Sequence, residues 1–235
     1  MSDPRAYYDD FATTYDRGRD RGYHAFVDEL EAEIVEPFAR GRRVLEVGCG
    51  TGLVLGRLAP VAAKASGVDV SPGMLAHARR RGLDVVEGSA TALPFPDASF
   101  DVVYSFKVLA HVPDIDRAVA ECARVLVRGG VAVLEFYNRR SLRYLSRLAA
   151  GARRIGAEHD EADISTRWDT PEAVRARLER HLRFERFVGV RIVTPFGGAH
   201  SIPGLGGGLR SVERAIARGP LSRFGGFLVA IARKP

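Results

Sequence analysis

The chain predicts an α/β protein in which helices cover both faces of an open sheet. Three observations carry this expectation. Short apolar, β-branched runs alternate with helix-periodic segments along most of the length. One such run, Val44-Leu45-Glu46-Val47, passes directly into Gly48, Gly50 and Gly52 and then into a helical pattern from Leu53, so a strand, a glycine turn and a helix follow one another. The 235 residues, 46% of them hydrophobic, suffice for one sizeable core. A single domain is expected, with a helical cover over 1–40, a ligand-binding core over 41–137, an insertion over 138–182 and closing strands over 183–235.

Composition narrows the function classes. No apolar run approaches the length of a membrane span, and the first ten residues lack the pattern of a secretory leader, so a soluble cytoplasmic protein is expected. Cys49 and Cys122 have neither metal-ligand spacing nor the density of a disulfide scaffold, and are expected to be reduced and structural; no metal site is expected. The net charge of +6 is uneven: residues 1–137 carry 16 basic and 20 acidic side chains, residues 138–235 carry 19 and 9. That excess fits either attraction to an anionic partner or an arginine-rich composition, since only Lys64, Lys107 and Lys234 are lysines.

Residues 4–39 read as two helices. Phe26, Leu30, Ile34 and Phe38 recur every four positions, with Asp28, Glu29, Glu31 and Glu33 between them, which gives one apolar stripe and one solvated face. In the strand and turn that follow, the glycines permit φ > 0 and strip every Cβ from one wall, so a ligand can lie against the main chain at a helix N-terminus. Dinucleotide folds space these glycines G-x-G-x-x-G to seat a pyrophosphate, which disfavours a dehydrogenase here. This turn is E-x-G-x-G-x-G, and Glu46, two residues before the first glycine, suits a cationic ligand end.

On these residues the chain resembles the class I S-adenosylmethionine-dependent methyltransferases, and closely the small branch typified by ubiquinone and menaquinone C-methyltransferases. The likeness runs from about Tyr7 to Phe136. It implies a Rossmann-like, doubly wound sheet of seven strands with the last antiparallel. It also implies S-adenosyl-L-methionine as cofactor and an enzyme that transfers its methyl group to an O, N or C nucleophile of a small-molecule acceptor. Glu46 would balance the cofactor's ammonium directly or through water, with Gly48, Cys49, Gly50, Thr51 and Gly52 accommodating its methionyl part. The segment Y-Y-D-D-F-A-T-T-Y-D resembles the family's entry segment, which makes Tyr15 a ring folded over the cofactor; Tyr7 is either a second such ring or helix packing.

A second strand spans about 63–70. Asp69, 17 residues beyond the last glycine of the turn, is placed to accept both ribose hydroxyls. Ser71 and Pro72 then open a helix to about Arg81 by cap and first-turn chemistry. By resemblance Val70 and Met74 pack on the adenine, a core role being the alternative for Met74. A third strand covers 83–87, and after it the family's Gly-Asp-Ala reads Gly88-Ser89-Ala90, so Ser89 and the backbone of Ala90 are expected to meet the adenine edge without a charge. The run L-P-F-P-D-A-S-F-D, 93–101, resembles the family at nearly every position.

A fourth strand, 101–105, leads to S-F-K-V-L-A-H-V-P-D, which lacks the Asn/Asp-Pro-Pro-aromatic motif of enzymes that methylate planar amines. Phe106 stands where that motif would begin and is expected to line the site. His111 is either a base near the transferred methyl or a cap on the helix over 114–126. Gly129 and Gly130 read as the turn into a buried strand, 131–134, whose C-terminal end carries Glu135 and Tyr137, either of which can face the acceptor.

Beyond Arg139 the resemblance loosens. Leu142, Leu145, Leu148 and Ala149 fall on one helical face and Arg140, Arg143, Arg147 and Arg154 on the other. The expectation is a cap whose leucines close over the acceptor while the arginines face water; peripheral contact of the 139–154 helix with an anionic membrane is the rival. Residues 156–169, with His159, Asp160, Asp163 and Trp168, read as a lid loop, and Thr170-Pro171-Glu172 starts a helix. Strands are expected over 184–193 and 225–232. The glycine-rich stretch between them is too glycine-rich for regular structure before a short helix over 209–218, and His200 there is either exposed or a substrate ligand. No nucleic-acid partner is expected, since no binding module or aromatic-basic motif accompanies the charge. A cofactor-binding module without methyl transfer would carry the same motifs. The acceptor and the oligomeric state are not encoded in any motif.

Overall fold

The computed structural model describes residues 4–150, 154–155, 159–160, 166–194, 196–202 and 204–235. Seven strands form one sheet: β1 (Arg43–Val47), β2 (Lys64–Asp69), β3 (Asp84–Glu87), β4 (Phe100–Ser105), β5 (Leu126–Tyr137), β6 (Arg183–Val190) and β7 (Phe227–Arg233), in the order β3-β2-β1-β4-β5-β7-β6. The first five are parallel, and β7 runs antiparallel to both β5 and β6. The expected doubly wound sheet with its last strand antiparallel is therefore present. Strand order reverses between β1 and β4, and the crevice beyond the carboxyl ends of those strands is where such sheets bind ligands.

The strands alternate between two apolar layers, as a sheet covered on both faces requires. Val44, Val102, Val131, Val133, Val229 and Ile231 join one layer, with Phe26 and Leu30 of the helix Gly22–Ala39 (α2). Leu45, Val103, Ala132, Leu134, Leu228 and Ala230 join the other, with residues of two further helices, Ile115–Val125 (α5) and Pro171–Leu178 (α7). The remaining helices are Pro4–Tyr15 (α1), Leu55–Leu58 (α3), Pro72–Arg80 (α4), Leu142–Ala150 (α6) and Leu205–Ile216 (α8). Caps fall where the sequence places them: Ser71 Oγ accepts from Met74 N at 3.0 Å and Thr170 Oγ1 from Ala173 N at 3.3 Å. Both cysteines are buried free thiols, and burial pushes the Cys122 thiol up to about 12. No helix among the described residues is long and apolar enough to cross a membrane, and no metal-binding cluster occurs among them.

Several expectations are corrected. The face of α2 read as solvated is not: Asp28 and Glu31 are buried, because Lys107 from the loop after β4 reaches both carboxylates at 2.7 Å. Glu29 and Glu33 stay at the surface and pair with Arg214. The glycines 129 and 130 do not precede β5 but lie inside it, since Lys234 continues the pairing past them: Gly129 N donates to Lys234 O and Lys234 N to Gly130 O, each at 2.9 Å. α8 starts four residues early, through the glycine run. It is anchored by buried Glu213, whose carboxylate accepts from the amides of Ile192, Val193 and Thr194. Gly206 is required there, because a Cβ would collide with the carbonyl of His200. His200 is neither exposed nor at the site; it is buried, stacked on Phe26 and 3.0 Å from Thr194 Oγ1. Of the expected lid loop, residues 156–158 and 161–165, including Asp163, lie outside the described residues. Backbone at 154–155 and 159–160 pairs as a short antiparallel ladder.

Candidate functional site

A cavity of about 550 Å³ opens at the carboxyl edge of the sheet, where strand order reverses between β1 and β4. Its size falls within the range of small-molecule sites. Each parallel strand contributes its last residue or those just past its end, because that is where chain direction and the reversal of strand order leave a gap.

From β1 come Gly48 and Gly50. Gly48 has φ +74, and a Cβ there would collide with Val108 of the loop after β4, so this position needs glycine both for its backbone and for close packing. At Gly50, φ +51, a Cβ would meet nothing within 4 Å, leaving the main chain as the bare cavity wall. From β2 come Asp69 and Val70. The Asp69 carboxylate accepts from Gly50 N at 2.8 Å and Ser71 N at 3.0 Å, one bond to each oxygen, which fixes it at the wall and leaves a lone pair on each oxygen. Burial raises its pKa against those bonds. Met74 of α4 and, from the segment after β3, Ser89 and Ala90 complete this end. Ser89 Oγ lies 2.8 Å from Thr91 Oγ1 and accepts from Thr91 N at 3.2 Å.

Helix α1 lies across the opening and lines it with Tyr7, Tyr8, Phe11 and Tyr15. Its hold is specific: Asp9 Oδ1 accepts from Ser71 Oγ at 2.6 Å and Gly73 N at 2.8 Å, so an α1 carboxylate sits on the N-terminus of α4. Directly after α1, Asp16 accepts from Thr51 Oγ1 at 2.7 Å and pairs with Arg81 at 2.8 Å.

Beyond Phe106 the cavity reaches Lys107, His111 and Tyr137. His111 does not cap α5, a role filled by Asp114, whose Oδ1 accepts from Arg117 N at 3.0 Å. It occupies a single 3-10 turn, Leu109–His111, with Nε2 3.4 Å from the Tyr137 hydroxyl. Burial pushes the Tyr137 phenol up, opposed by Arg143. Below this end lies an ionic cluster. Lys107 bridges Asp28 and Glu31, and Arg19 pairs with Asp28 at 3.1 Å. Burial opposes charge on Lys107, yet Glu31 and Asp28 outweigh it and hold the ammonium well above its usual range. Burial also pushes Glu31 up to about 7 despite the lysine.

Four residues expected at the site stand behind the wall. Glu46 is buried and accepts from the Tyr104 hydroxyl at 3.3 Å; burial, then Glu31, drives its carboxyl well above the usual range. Cys49 turns toward Gly67 and Leu55, Thr51 is buried against Asp16, and a Cβ at Gly52 would collide with Leu83. None of the four lines the cavity. Tyr8, Phe11, Arg19 and Lys107 line it without having been expected there, and so does Arg143, which the sequence placed toward water.

The largest reversal concerns α6. Leu142, Leu145 and Leu148 are 53%, 57% and 64% exposed, while Arg143 turns inward over the rings of Tyr137, Phe227 and Trp168 at 4.2, 4.4 and 5.0 Å. Arg147 follows over Trp168 at 5.6 Å. The wall it meets is aromatic, and a guanidinium competes with leucine for such a face.

Comparison with known proteins agrees with this architecture. The family described as a methyltransferase domain matches residues 45–134. A demethylmenaquinone methyltransferase of Thermus thermophilus is 36% identical over 161 residues, covering 58% of this chain and 72% of that protein. A probable S-adenosylmethionine-dependent methyltransferase of Mycolicibacterium smegmatis is 44% identical over 101 residues, 42% of this chain; the chain spans only 39% of that relative's length. In three dimensions, a possible histamine N-methyltransferase of Thermotoga maritima superposes with a TM-score of 0.70 over 98% of this chain and 99% of that one, at 23% identity, a likeness of fold alone. With the strand order, the glycine wall and Asp69 in place, and a relative matched over most of its length, the chain belongs to the class I S-adenosylmethionine-dependent methyltransferases.

Proposed function

We propose that this protein transfers a methyl group from S-adenosyl-L-methionine to a small-molecule acceptor held between Phe106, His111 and Tyr137. The observation that carries the reading is the pairing, in one cavity, of a bare glycine wall beside a fixed carboxylate with an aromatic chamber beyond it. The first fits a nucleoside and an amino-acid tail, and the second has room for a reacting partner. Asp69 would hold the ribose, Gly48 and Gly50 the methionyl part, Val70 and Met74 the adenine face, and Ser89 and Ala90 its edge. Tyr15 and Phe106 would flank the cofactor. Glu46 would act from behind the wall through its charge state, and Cys49, Thr51 and Gly52 by shaping the turn. When bound, the cofactor supplies a methyl group on a sulfonium that is already a good leaving group. The chain then has to position the acceptor, exclude water and, where the acceptor must lose a proton, pass it to the Tyr137 hydroxyl as that hydroxyl gives its own proton to His111 Nε2.

Incubating the protein with methyl-labelled cofactor and a bacterial small-molecule extract tests this reading. Label should move to organic metabolites at a rate that tracks protein concentration. Tight cofactor binding with no transfer to any fraction would favour a binding module instead.

A second reading, a membrane-associated quinone-type acceptor, is favoured by the outward leucines of α6 and by the name of the Thermus relative. It predicts cosedimentation with anionic liposomes that is lost in Leu145→Asp; an unchanged supernatant fraction in both proteins would exclude it.

Ser89 gives a further expected result. Ser89→Asp should tighten cofactor binding several-fold by supplying a charge-assisted bond to the adenine amine, read by calorimetry. Equal or weaker binding would mean that the bond to Thr91 has set the pocket around the smaller side chain.

A further inference from the structure

We propose that Arg143 recognises a carboxylate on the acceptor, so that the substrate is a small organic acid; this rests on the methyl-transfer reading above.

The start of α6 is fixed in place. Asn138, the residue after β5, donates from Nδ2 to the carbonyls of Arg223 at 2.7 Å and Gly225 at 2.9 Å, and its Oδ1 accepts from Arg140 N at 2.9 Å. Ser141 Oγ donates to Asn138 O at 2.7 Å and accepts from Tyr144 N at 3.1 Å. The first turn of the helix is thereby locked to the end of β5 and the approach to β7, and Arg143 follows within that turn.

The guanidinium carbon of Arg143 lies over the faces of three rings, which offer it no lone-pair acceptor. Contact with a ring face leaves the donors in the guanidinium plane unsatisfied, and Arg has five of them. Nη1 is shielded from solvent and has no hydrogen-bond partner.

Charge accounting points the same way. Among the described residues three cations line the cavity: Arg19, Lys107 and Arg143. Arg19 pairs with Asp28 and Lys107 with Asp28 and Glu31, whereas no carboxylate among the described residues lies within ion-pair distance of Arg143. Among the described residues the one acid lining the cavity is Asp69, held by Gly50 and Ser71. It stands at the end of β2, three strand spacings from β5, or roughly 14 Å. Arg143 is thus a half-buried cation with an unpartnered Nη1, beside the Tyr137–His111 pair where the acceptor would react. A carboxylate matches the planar fork of a guanidinium with two parallel bonds. Paired in this way it is a poorer nucleophile, so it serves as the handle while another atom takes the methyl group.

The test compares matched small acids and their primary amides, among them 4-hydroxybenzoate with 4-hydroxybenzamide and 4-hydroxyphenylacetate with its amide. Binding is measured by saturation-transfer NMR and calorimetry on protein saturated with S-adenosylhomocysteine. At least one acid should bind roughly ten times tighter than its amide, as expected for hydrogen bonds to a charged group. Arg143→Gln should erase that preference, and Arg143→Lys should restore part of it by charge without the fork. Retained S-adenosylhomocysteine binding and melting temperature in Arg143→Gln show that the variant is folded. Acids that bind no better than amides to the parent, or a preference that survives Arg143→Gln, overturn the assignment. A parent that binds no S-adenosylhomocysteine sinks the methyl-transfer reading itself, whereas one that binds it and shows no acid preference sinks only the role of Arg143.

Discussion

Calorimetric titration of S-adenosylmethionine into the Asp69→Ala protein should give a dissociation constant roughly ten to a hundred times that of the parent, the loss of about 1.5–3 kcal/mol expected when hydrogen bonds to a charged group are removed. The demethylated product should lose the same factor, because both share the ribose. Asp69 also ties the turn after β1 to the start of α4 through Gly50 N and Ser71 N. Asp69→Asn separates the two roles. Its single acceptor oxygen keeps one tie and cannot accept from both ribose hydroxyls, so it should fold like the parent and bind nearly as weakly as the alanine variant. Parent-like affinity in Asp69→Ala would remove the ribose from this end of the cavity.

The second large effect is on stability. Lys107→Met should destabilise the fold by about 3 kcal/mol, the lower part of the range for breaking a buried ion pair, because the lysine side chain keeps 21% exposure. The sign with pH can be worked out from Glu31. Its folded pKa is raised from 4.5 to about 7, so the folded state binds more protons than the unfolded one across that interval. Its contribution is therefore present below pH 4.5 and lost as pH rises through 7. Asp28, held below its usual range by Lys107 and Arg19 despite burial, works in the opposite sense at more acid pH. Without the ammonium the Glu31 carboxyl rises further, so the variant should go on losing stability above pH 7, where the parent has levelled. Urea midpoints at pH 5.5, 7 and 8.5 read this directly. Parallel curves for the two proteins would show that Lys107 does not hold these acids.

Much of the cavity's glycine-wall end was legible because its information is local. Val44 to Val47 is a strand by composition, three alternate glycines can only be a turn, and Asp69 stands at a fixed offset from it. Each of these follows from neighbours a few residues away. What escaped depends on contacts between distant segments. The pattern of α6 shows that it has two faces, but which face turns inward depends on Tyr137, Trp168 and Phe227, spread over ninety residues of chain, and together they favour a cation. Asp28 and Glu31 read as solvated for the same reason: the lysine that takes them out of water lies some eighty residues away. Glu46 illustrates a third limit. Its distance from the first glycine is fixed, but the strand's alternation turns it toward Tyr104 rather than into the cavity.

The antiparallel insertion of β7 sets an order on synthesis. Strands β1 to β4 pair in parallel with neighbours already made, so the edge that carries Gly50, Asp69 and Ser89 can assemble while the chain is still being extended. β6 cannot join in the same way. Its partner is β7, and until residues 227–233 emerge it has no strand beside it, while β5 shows an open edge to the surroundings. Phe227, one of the three rings under Arg143, arrives with that last strand. In a nascent chain the Asp69 end of the cavity is therefore complete first, and the wall under Arg143 closes only when β7 slides into place.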